Sequence, residues 1–342
     1  MTDKQWDDLS RIINGDILDP LPVGFIIDCP WLPNWYGISI LDYFTNDKLW
    51  LEANLKALND FPDIMFLPGF WSEFGMCTEP SAFGTKCTFP VNEFPHAHAA
   101  LHSSSDIDAL KIPNPATDGL LPFMLNRLKI AQPEIEKAGH KIRFAVARGP
   151  LNIASYLMGT TELLTTIMME PDKAHLLIRK ITTFLQSWLK LQMDTFPSID
   201  GILMLDDIIG FMGEPEFLTF GLPYFKELYD VNVSVKFLHN DAPCEVSAPH
   251  LPEMGINMFN MGFEVTLNDL KEMTNNQIVM LGNIPPRDVL ANGSAQDTRN
   301  AVEDLMDDLN DDSRIIFSCG GGMPPGVSTE NLQAFIETVR HS

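Results

Sequence analysis

Eight short apolar runs recur along the chain, with helix-like segments between them. Each run is nearly continuous in large aliphatic and aromatic residues, which is typical of parallel strands buried on both faces. The alternation of eight such strands with helices predicts an α/β fold, a (β/α)8 TIM barrel. The runs cover residues 23–29, 63–69, 142–149, 201–207, 233–240, 257–262, 278–284 and 314–320.

Helical patterns fill the intervals between these runs. An open doubly wound sheet is the alternative architecture, but no GxGxxG follows the first strand. No internal repeat or low-complexity linker divides the chain, so residues 1–342 are predicted to form a single barrel domain. The clearest helical segments are residues 162–166, 171–195, 215–228, 267–274, 294–309 and 329–339.

One long insertion follows the second predicted strand, at about residues 70–119. It is rich in aromatic residues and proline. A long ordered insertion at this barrel face is either a lid over a substrate or a structural hairpin that covers the barrel end.

The charge balance narrows the range of partners. Lys and Arg total 23 against 46 Asp and Glu, a formal net charge of −23. Such a surface repels phosphate backbones and anionic lipids, so nucleic acid and membranes are not expected as partners. The N-terminus lacks the basic start and apolar stretch of a signal peptide, and no apolar run approaches the roughly 18 residues needed to cross a bilayer. The sequence therefore predicts a cytoplasmic protein, in which five scattered cysteines are free thiols or metal ligands.

Polar side chains terminate most of the predicted strands. Because the chemistry of barrel enzymes lies at the C-terminal strand ends, we expect these groups to gather at one mouth. They are Asp28, Cys29, Arg148, Asp206, Asp207, His239, Asp241, Cys244, Glu264, Asn283 and Cys319.

His239 and Cys319 are the most informative pair among them. Imidazole and thiolate together favour zinc, and a catalytic zinc needs only three protein ligands. Asp241, Cys244, Glu264 or a substrate atom would complete the set. The alternative is that His239 contacts substrate or core and that Cys319 is a small buried apolar residue.

Arg148 and the two neighbouring aspartates also have two interpretations each. Arg148 is suited to bind a carboxylate, sulfonate or phosphate, but it would equally form a salt bridge with Asp206 or Asp207. The aspartates would share a proton or orient a ligand, or one of them would cap the helix that begins near Glu214.

Several segments resemble the uroporphyrinogen decarboxylase superfamily. ARGPLNIASYLMG resembles its Gly-Pro-x-x-x-Ala-Ser-Tyr segment, and LMLDDIIGFMGEPEFLTFGLPYFKEL its fourth strand and following helix. VMLGNIPP is similar to its Gly-Asn-(Leu/Ile)-x-Pro segment, and IIFSCGGGMPPG to its closing strand. The resemblance runs from about Leu21 to the end of the chain, and it implies the barrel independently of the strand pattern.

The superfamily contains decarboxylases and zinc-dependent, corrinoid-linked methyltransferases, and this chain resembles the second group. The decarboxylases carry arginines after the first strand that grip the acid arms of a porphyrinogen, whereas VGFIIDCPWLPNWYG has none. Their Leu-Gly-His-Gly in the last strand is replaced here by a segment without histidine, Ser318 to Gly322. A polyanionic substrate is therefore not expected.

The methyltransferases carry His-x-Cys after the fifth strand and a cysteine at the end of the eighth. His239 and Cys319 match this pattern, but Asp241 stands where the middle cysteine would be. The resemblance implies that either Asp241 supplies an oxygen ligand or Cys244 replaces it through a different turn. An oxygen ligand would suit activation of an ether oxygen better than binding of a thiol.

The resulting hypothesis is a zinc-dependent methyltransferase. It would move a methyl group between a small substrate, such as a methoxylated compound, and the cobalt of a corrinoid (cobalamin) on a partner protein. The resemblance also suggests a homodimer. Asp206, Asp207 and Glu264 would protonate or orient the substrate. Its binding residues would be Arg148, Trp31, Tyr36, Trp71 and Asn283.

Two other functions remain open at this point. One is a metal-free decarboxylase or lyase that acts on a smaller acid, with Arg148 as carboxylate clamp and an aspartate as proton donor. The other is a non-catalytic ligand-binding barrel.

Overall fold

All eight predicted strands are present. The computed structural model describes residues 1–27 and 30–341, so Asp28 and Cys29, predicted at the end of the first strand, lie outside the described residues. Each observed strand falls within its predicted run. The strands are β1 Val23–Ile26, β2 Ile64–Leu67, β3 Phe144–Arg148, β4 Gly201–Leu205, β5 Val235–Asn240, β6 Met258–Met261, β7 Val279–Ile284 and β8 Ile315–Cys319.

The strands form one parallel sheet with the cyclic order of a barrel. The order is β2-β1-β8-β7-β6-β5-β4-β3, and each paired neighbour is parallel. β1 pairs with β8 at Val23 and Phe317, which joins the first strand to the last. This order is that of a TIM barrel opened between β2 and β3, and it confirms the predicted fold.

Side chains satisfy the edge of β3 that faces this opening. Gly149 N donates to Leu205 O and Asp200 N donates to Arg143 O, so the backbone N–H and C=O groups of odd-numbered residues in this segment point towards β4. The backbone groups of even-numbered residues point towards the opening, where the Gln192 amide both accepts from Val146 N and donates to Val146 O, each at 3.0 Å. An unpaired strand edge is thereby closed without another strand.

Helices cover the outside of the sheet. The longest, Pro171–Thr195, buries an apolar face that includes Leu177, Phe184 and Trp188, because these positions recur at helical spacing. The other helices are Asp3–Ile13, Trp31–Tyr36, Ile40–Thr45, Asp47–Asp60, Thr78–Ala82, Asp106–Ala109, Leu121–Lys137, Pro150–Met158, Thr160–Met169, Glu214–Glu216, Leu222–Tyr229, Leu267–Met273, Ala295–Asp308 and Thr329–His341. Short 3-10 turns span Ile208–Phe211 and Ala248–His250, and π-helical turns span Phe217–Gly221 and Pro286–Ala291.

The barrel interior is packed and is closed at its N-terminal end. Inward-facing residues of the strands, such as Val146 and Leu281, form one cluster with Trp6, Leu9 and Ile12 of the first helix. The Trp6 ring meets Phe144 edge-on, with ring centroids 5.4 Å apart. This helix covers the N-terminal end of the barrel. The opposite end, at the C-terminal ends of the strands, is therefore the end that can hold a site.

The insertion after β2 is an ordered part of the C-terminal face. Its two-residue strands, Cys87–Thr88 and His96–Ala97, pair in antiparallel fashion. Phe74 and Phe94 of the insertion pack against the Phe44 ring. Among the described helices, none is both long and apolar enough to cross a membrane.

Candidate active site

A cavity of about 520 Å³ opens at the C-terminal ends of the strands. Five of the residues predicted for the site line it, and the insertion contributes three of the wall residues. The predicted residues in the lining are Trp71, Arg148, Asp207, His239 and Asp241, and the insertion supplies Trp71, Met76 and Phe94.

His239 lies near the end of β5 and is held by its neighbours. Its Nδ1 is 2.7 Å from Asn260 Oδ1, and Asn260 Nδ2 donates to Leu281 O at 2.7 Å. Because the Asn260 amide nitrogen is engaged in that way, its oxygen accepts and His239 Nδ1 donates. The other ring nitrogen, Nε2, lies 3.5 Å from Asp241 Oδ2. Burial disfavours the charged ring, but the charges of Asp241 and Asp207 outweigh it and raise the pKa of His239 to about 10.

Asp241 follows β5 directly and lies against a glycine. Its backbone N donates to Asp207 Oδ1 at 2.8 Å, and its side chain is 52% exposed. A Cβ on Gly321 would stand 2.1 Å from Asp241 Oδ1, and Gly321 has a φ of +72°. Only glycine therefore leaves room for this carboxylate and adopts the required backbone conformation.

Arg148, at the end of β3, is bound by two glutamates of the insertion. Its Nη2 donates to Glu73 Oε2 at 2.9 Å and its Nη1 to Glu79 Oε2 at 3.3 Å. Glu79 Oε1 also accepts from Arg148 N at 3.2 Å, on the open edge of β3. The sequence favoured a salt bridge from Arg148 to Asp206 or Asp207. Arg148 does form salt bridges, but its partners are the two glutamates. The sequence gives no signal for Glu73 and Glu79, which are 75 and 69 residues away.

Asp206 has a structural position, whereas its neighbour faces the cavity. Asp206 is fully buried, and its Oδ2 accepts from Leu151 N at 2.9 Å and Asn152 N at 3.2 Å. These bonds cap the helix Pro150–Met158, not the helix near Glu214 that the sequence suggested. Burial raises the pKa of Asp206 to about 8 despite these bonds. Asp207 alone of the pair lines the cavity.

Asn152 and Tyr156 line the cavity, although the sequence reasoning did not select them. Asn152 Oδ1 accepts from Asp207 N at 3.2 Å and so supports the predicted carboxylate. Burial and the nearby acids raise the pKa of Tyr156 to about 12, although Arg148 lowers it, so its phenol is a neutral donor at ordinary pH. Both lie in the segment that resembles Gly-Pro-x-x-x-Ala-Ser-Tyr, which was the available signal. Arg287 and Phe263 were also missed and lie in the lining.

Other predicted residues lie away from this cavity. Trp31 is buried, with Nε1 donating to Val327 O at 3.2 Å, and Asn283 Nδ2 donates to Val265 O at 2.7 Å. Tyr36 packs against the core and does not line the cavity. Cys244 and Glu264 line a separate cavity of about 50 Å³, which shares Asp241 with the larger one.

The predicted zinc ligands are not assembled into one group. Cys319 is fully buried, and its thiol donates to Gly321 O at 3.5 Å. Burial raises the pKa of the Cys244 thiol to about 12. Across residues 1–27 and 30–341, no three His, Cys, Asp or Glu side chains lie close enough to hold a metal ion. The described side chains therefore do not fit a closed zinc site, although His239 and Asp241 meet at the cavity wall.

Comparison with known proteins gives the family. The family model for uroporphyrinogen decarboxylase (URO-D) matches residues 7–342. The chain belongs to the uroporphyrinogen decarboxylase family. This match confirms the resemblance found in the sequence at the level of the superfamily, which is one of enzymes.

Relatives in this family are distant, and they cover between 70% and 98% of this chain. The uroporphyrinogen decarboxylase of Alcanivorax borkumensis is 22% identical over 98% of this chain and 97% of its own. That of Chlorobaculum tepidum is 24% identical over 70% of each chain. Among solved structures, a methyltransferase from Methanosarcina mazei superposes with a TM-score of 0.82 at 17% identity, covering 97% of both chains. At this identity the structural likeness establishes the fold.

Proposed function

We propose that this family member is a methyltransferase. It moves a methyl group between a small methylated substrate, such as a methoxylated compound, and the cobalt of a corrinoid carried by a partner protein. The observation that carries the proposal is the charge of the cavity wall, where two buried glutamates already occupy the Arg148 guanidinium. A polycarboxylate needs free cations, whereas an uncharged methyl donor does not.

The cavity also has the size and the surface for such a donor. Its volume of about 520 Å³ lies in the usual range for small-molecule sites. Aromatic and thioether side chains form much of the lining, and they offer flat apolar surface to a methoxylated ring. These lining residues are Trp71, Met76, Phe94, Tyr156, Phe263 and Met323.

His239 would assist the bond cleavage in this proposal. A reduced corrinoid would supply the acceptor for the methyl group, and the methoxy oxygen would gain negative charge as its bond to the methyl carbon breaks. The His239 imidazolium, held by Asn260 and Asp241, would give its proton to that oxygen, and the Tyr156 phenol would donate a hydrogen bond. The products are then the demethylated alcohol or phenol and the methylated corrinoid.

The test is a methyl-transfer assay with the purified protein, a methoxylated aromatic compound and a reduced corrinoid protein. Mass spectrometry should detect the demethylated product only when all three are present. His239→Ala should slow its formation about 100-fold or more, the usual size of a lost acid–base group. His102→Ala removes an exposed imidazole of the insertion and should leave the rate unchanged.

Decarboxylation is the second candidate, because curated relatives that span the chain are named uroporphyrinogen decarboxylase. Arg287, exposed at the rim of the cavity, is a cation that an acid could use. Release of CO2 from a porphyrinogen carboxylate, without methyl transfer from any donor, would replace the first proposal with this one.

Zinc binding by the side chains around His239 is a separate prediction. A zinc ion would activate an ether oxygen as a Lewis acid, which is another way to achieve what the His239 proton does. About one zinc per purified chain, lost in both His239→Ala and Cys319→Ala, would support zinc binding. His239 would then be a zinc ligand and not the proton donor. No zinc after reconstitution would refute zinc binding and leave the cavity assignment intact.

A further inference from the structure

The Arg148 cluster contains more carboxyl groups than it needs for charge balance. One guanidinium, 7% exposed, faces the carboxyl groups of Glu73 and Glu79, each 2% exposed. Burial works against a charge on Arg148, but Glu79 and Glu73 outweigh it and hold the pKa of Arg148 above its usual value. Arg148 therefore stays charged, and at least one of the glutamates must balance it.

Glu79 alone is sufficient to bind both the backbone and the guanidinium of Arg148. It accepts from both the backbone N and Nη1 of Arg148, so it closes the strand edge and meets the guanidinium. Glu73 adds one bond to Nη2, and its other oxygen, Oε1, is buried without a hydrogen-bond partner among the described residues. Burial also raises the pKa of Glu73. A second buried carboxyl group that is only half satisfied is costly, and an apolar or amide side chain would suffice for packing.

The two glutamates have a direct consequence for what the cavity can bind. Within residues 1–27 and 30–341, two arginines line the cavity. Arg148 is buried, whereas Arg287 is exposed at the rim. Two carboxyl groups face one guanidinium, and a single carboxylate is enough to cancel its charge, so the cluster offers no net positive charge to the cavity. The remaining charged residues of the inner lining include Asp207 and the pair His239–Asp241, which adds no net cation.

We propose that Glu73 and Glu79 are specificity-determining residues, which cancel the charge of Arg148 so that the cavity accepts uncharged or cationic methyl compounds and rejects carboxylates. This inference takes from the proposed function only that the occupant is a methyl compound. It is independent of how the methyl group leaves.

Binding of three probes with the same ring tests the inference without any turnover. Anisole, benzoate and N,N,N-trimethylanilinium are uncharged, anionic and cationic, and each fits a cavity of this size. Isothermal titration at constant ionic strength gives their affinities for the wild type and for Glu73→Gln, Glu79→Gln and the double variant. Gln keeps the shape and an acceptor oxygen while it removes the charge.

The expected pattern is non-additive. Benzoate should bind the wild type at least about tenfold more weakly than anisole, because the wall offers it no net cation. Each single variant leaves one carboxylate for one guanidinium, so its preference should stay close to that of the wild type. The double variant leaves Arg148 unbalanced and should bind benzoate about tenfold or more tightly than the wild type does.

Two controls separate charge from damage to the fold. Glu93→Gln makes the same change at an exposed position of the insertion and should alter none of the three affinities. The triple variant Glu73→Gln, Glu79→Gln, Arg148→Gln removes all three charges, and it should return the preference to that of the wild type. It also gives a measurement if the double variant does not fold.

A wild-type preference for benzoate over anisole would overturn the inference, since Arg148 would then act as a carboxylate clamp. Equal affinities for the three probes in every variant would overturn it as well. Absence of methyl transfer in the assay described above would overturn the proposed function instead, and it would leave this order of affinities unaffected.

Discussion

Two walls of the cavity each place a cation beside carboxylates, but they differ in exposure. On the β3 side, Arg148 and both of its glutamates are almost completely buried. On the β5 side, His239 is 9% exposed, whereas its partner Asp241 is 52% exposed. The first cluster is closed by its own hydrogen bonds, and the second leaves a carboxylate and a ring nitrogen available to the cavity.

This difference in exposure indicates that the two ion clusters have different roles. A closed ion cluster holds the insertion on the barrel and sets the charge of the wall, because its groups have partners already. An open pair can change partners when a substrate enters, and reactive groups need that freedom. We therefore assign specificity to the β3 wall and reaction chemistry to the β5 wall.

The largest effect should come from removing the cation of the closed cluster. Arg148→Ala leaves two buried carboxyl groups without their counter-charge, and it should lower the free energy of unfolding by about 3–5 kcal/mol. Asp241→Ala removes one partner of the open pair and should cost less than that, because the exposed carboxylate is solvated and the remaining His239 can lose its proton. Urea denaturation of the two variants measures both values.

For Asp241, the effect of the substitution on activity should be large even though its effect on stability is small. Asp241→Ala should stay folded and lose most of its methyl-transfer activity, since His239 loses the group that orients it and favours its charged form. Equal losses of stability in the two variants would remove the distinction between the walls.

A smaller effect should follow from filling the space beneath Asp241. In Gly321→Ala the new Cβ would collide with Asp241 Oδ1, and the positive φ adds a strain of about 1–2 kcal/mol. The expected result is a modest loss of stability with a marked loss of activity, because Asp241 must move away from His239. Thermal denaturation and the transfer assay measure the two effects.

Gly84→Ala is the matched control for that substitution. Gly84 has a φ of +84°, and a Cβ added there would meet no described atom within 4 Å, so it incurs the backbone strain without the collision. Similar stability losses with activity lost only in Gly321→Ala would confirm the role of Asp241. If both variants kept full activity, the placement of Asp241 beside His239 would not matter for the reaction.

The strands were predictable because their signal is local. A nearly continuous apolar run of five residues, such as Phe144–Arg148, is recognisable without its neighbours, and the barrel follows from eight such runs. The polar strand ends were predictable for the same reason. Asp207, His239 and Asp241 come to the mouth because every parallel strand of a barrel ends at that face.

Roles within the mouth were less predictable. Asp206 and Asp207 are adjacent in sequence, but successive residues point in different directions, and only the structure shows that the first caps a helix. Cys244 and Glu264 also follow strands, yet they line a separate small cavity. The partners of Arg148 come from an insertion whose path has no periodic signal.

Local sequence is enough to specify the eight strands, their parallel barrel, and the face at which His239, Asp241 and Arg148 lie, because hydrophobic periodicity fixes which residues are buried. Which charges cancel depends on the folded chain. Ion pairs such as Arg148 with Glu73 and Glu79 join residues 75 and 69 positions apart. Their energy depends on distance and burial, and neither is encoded in the local order of residues.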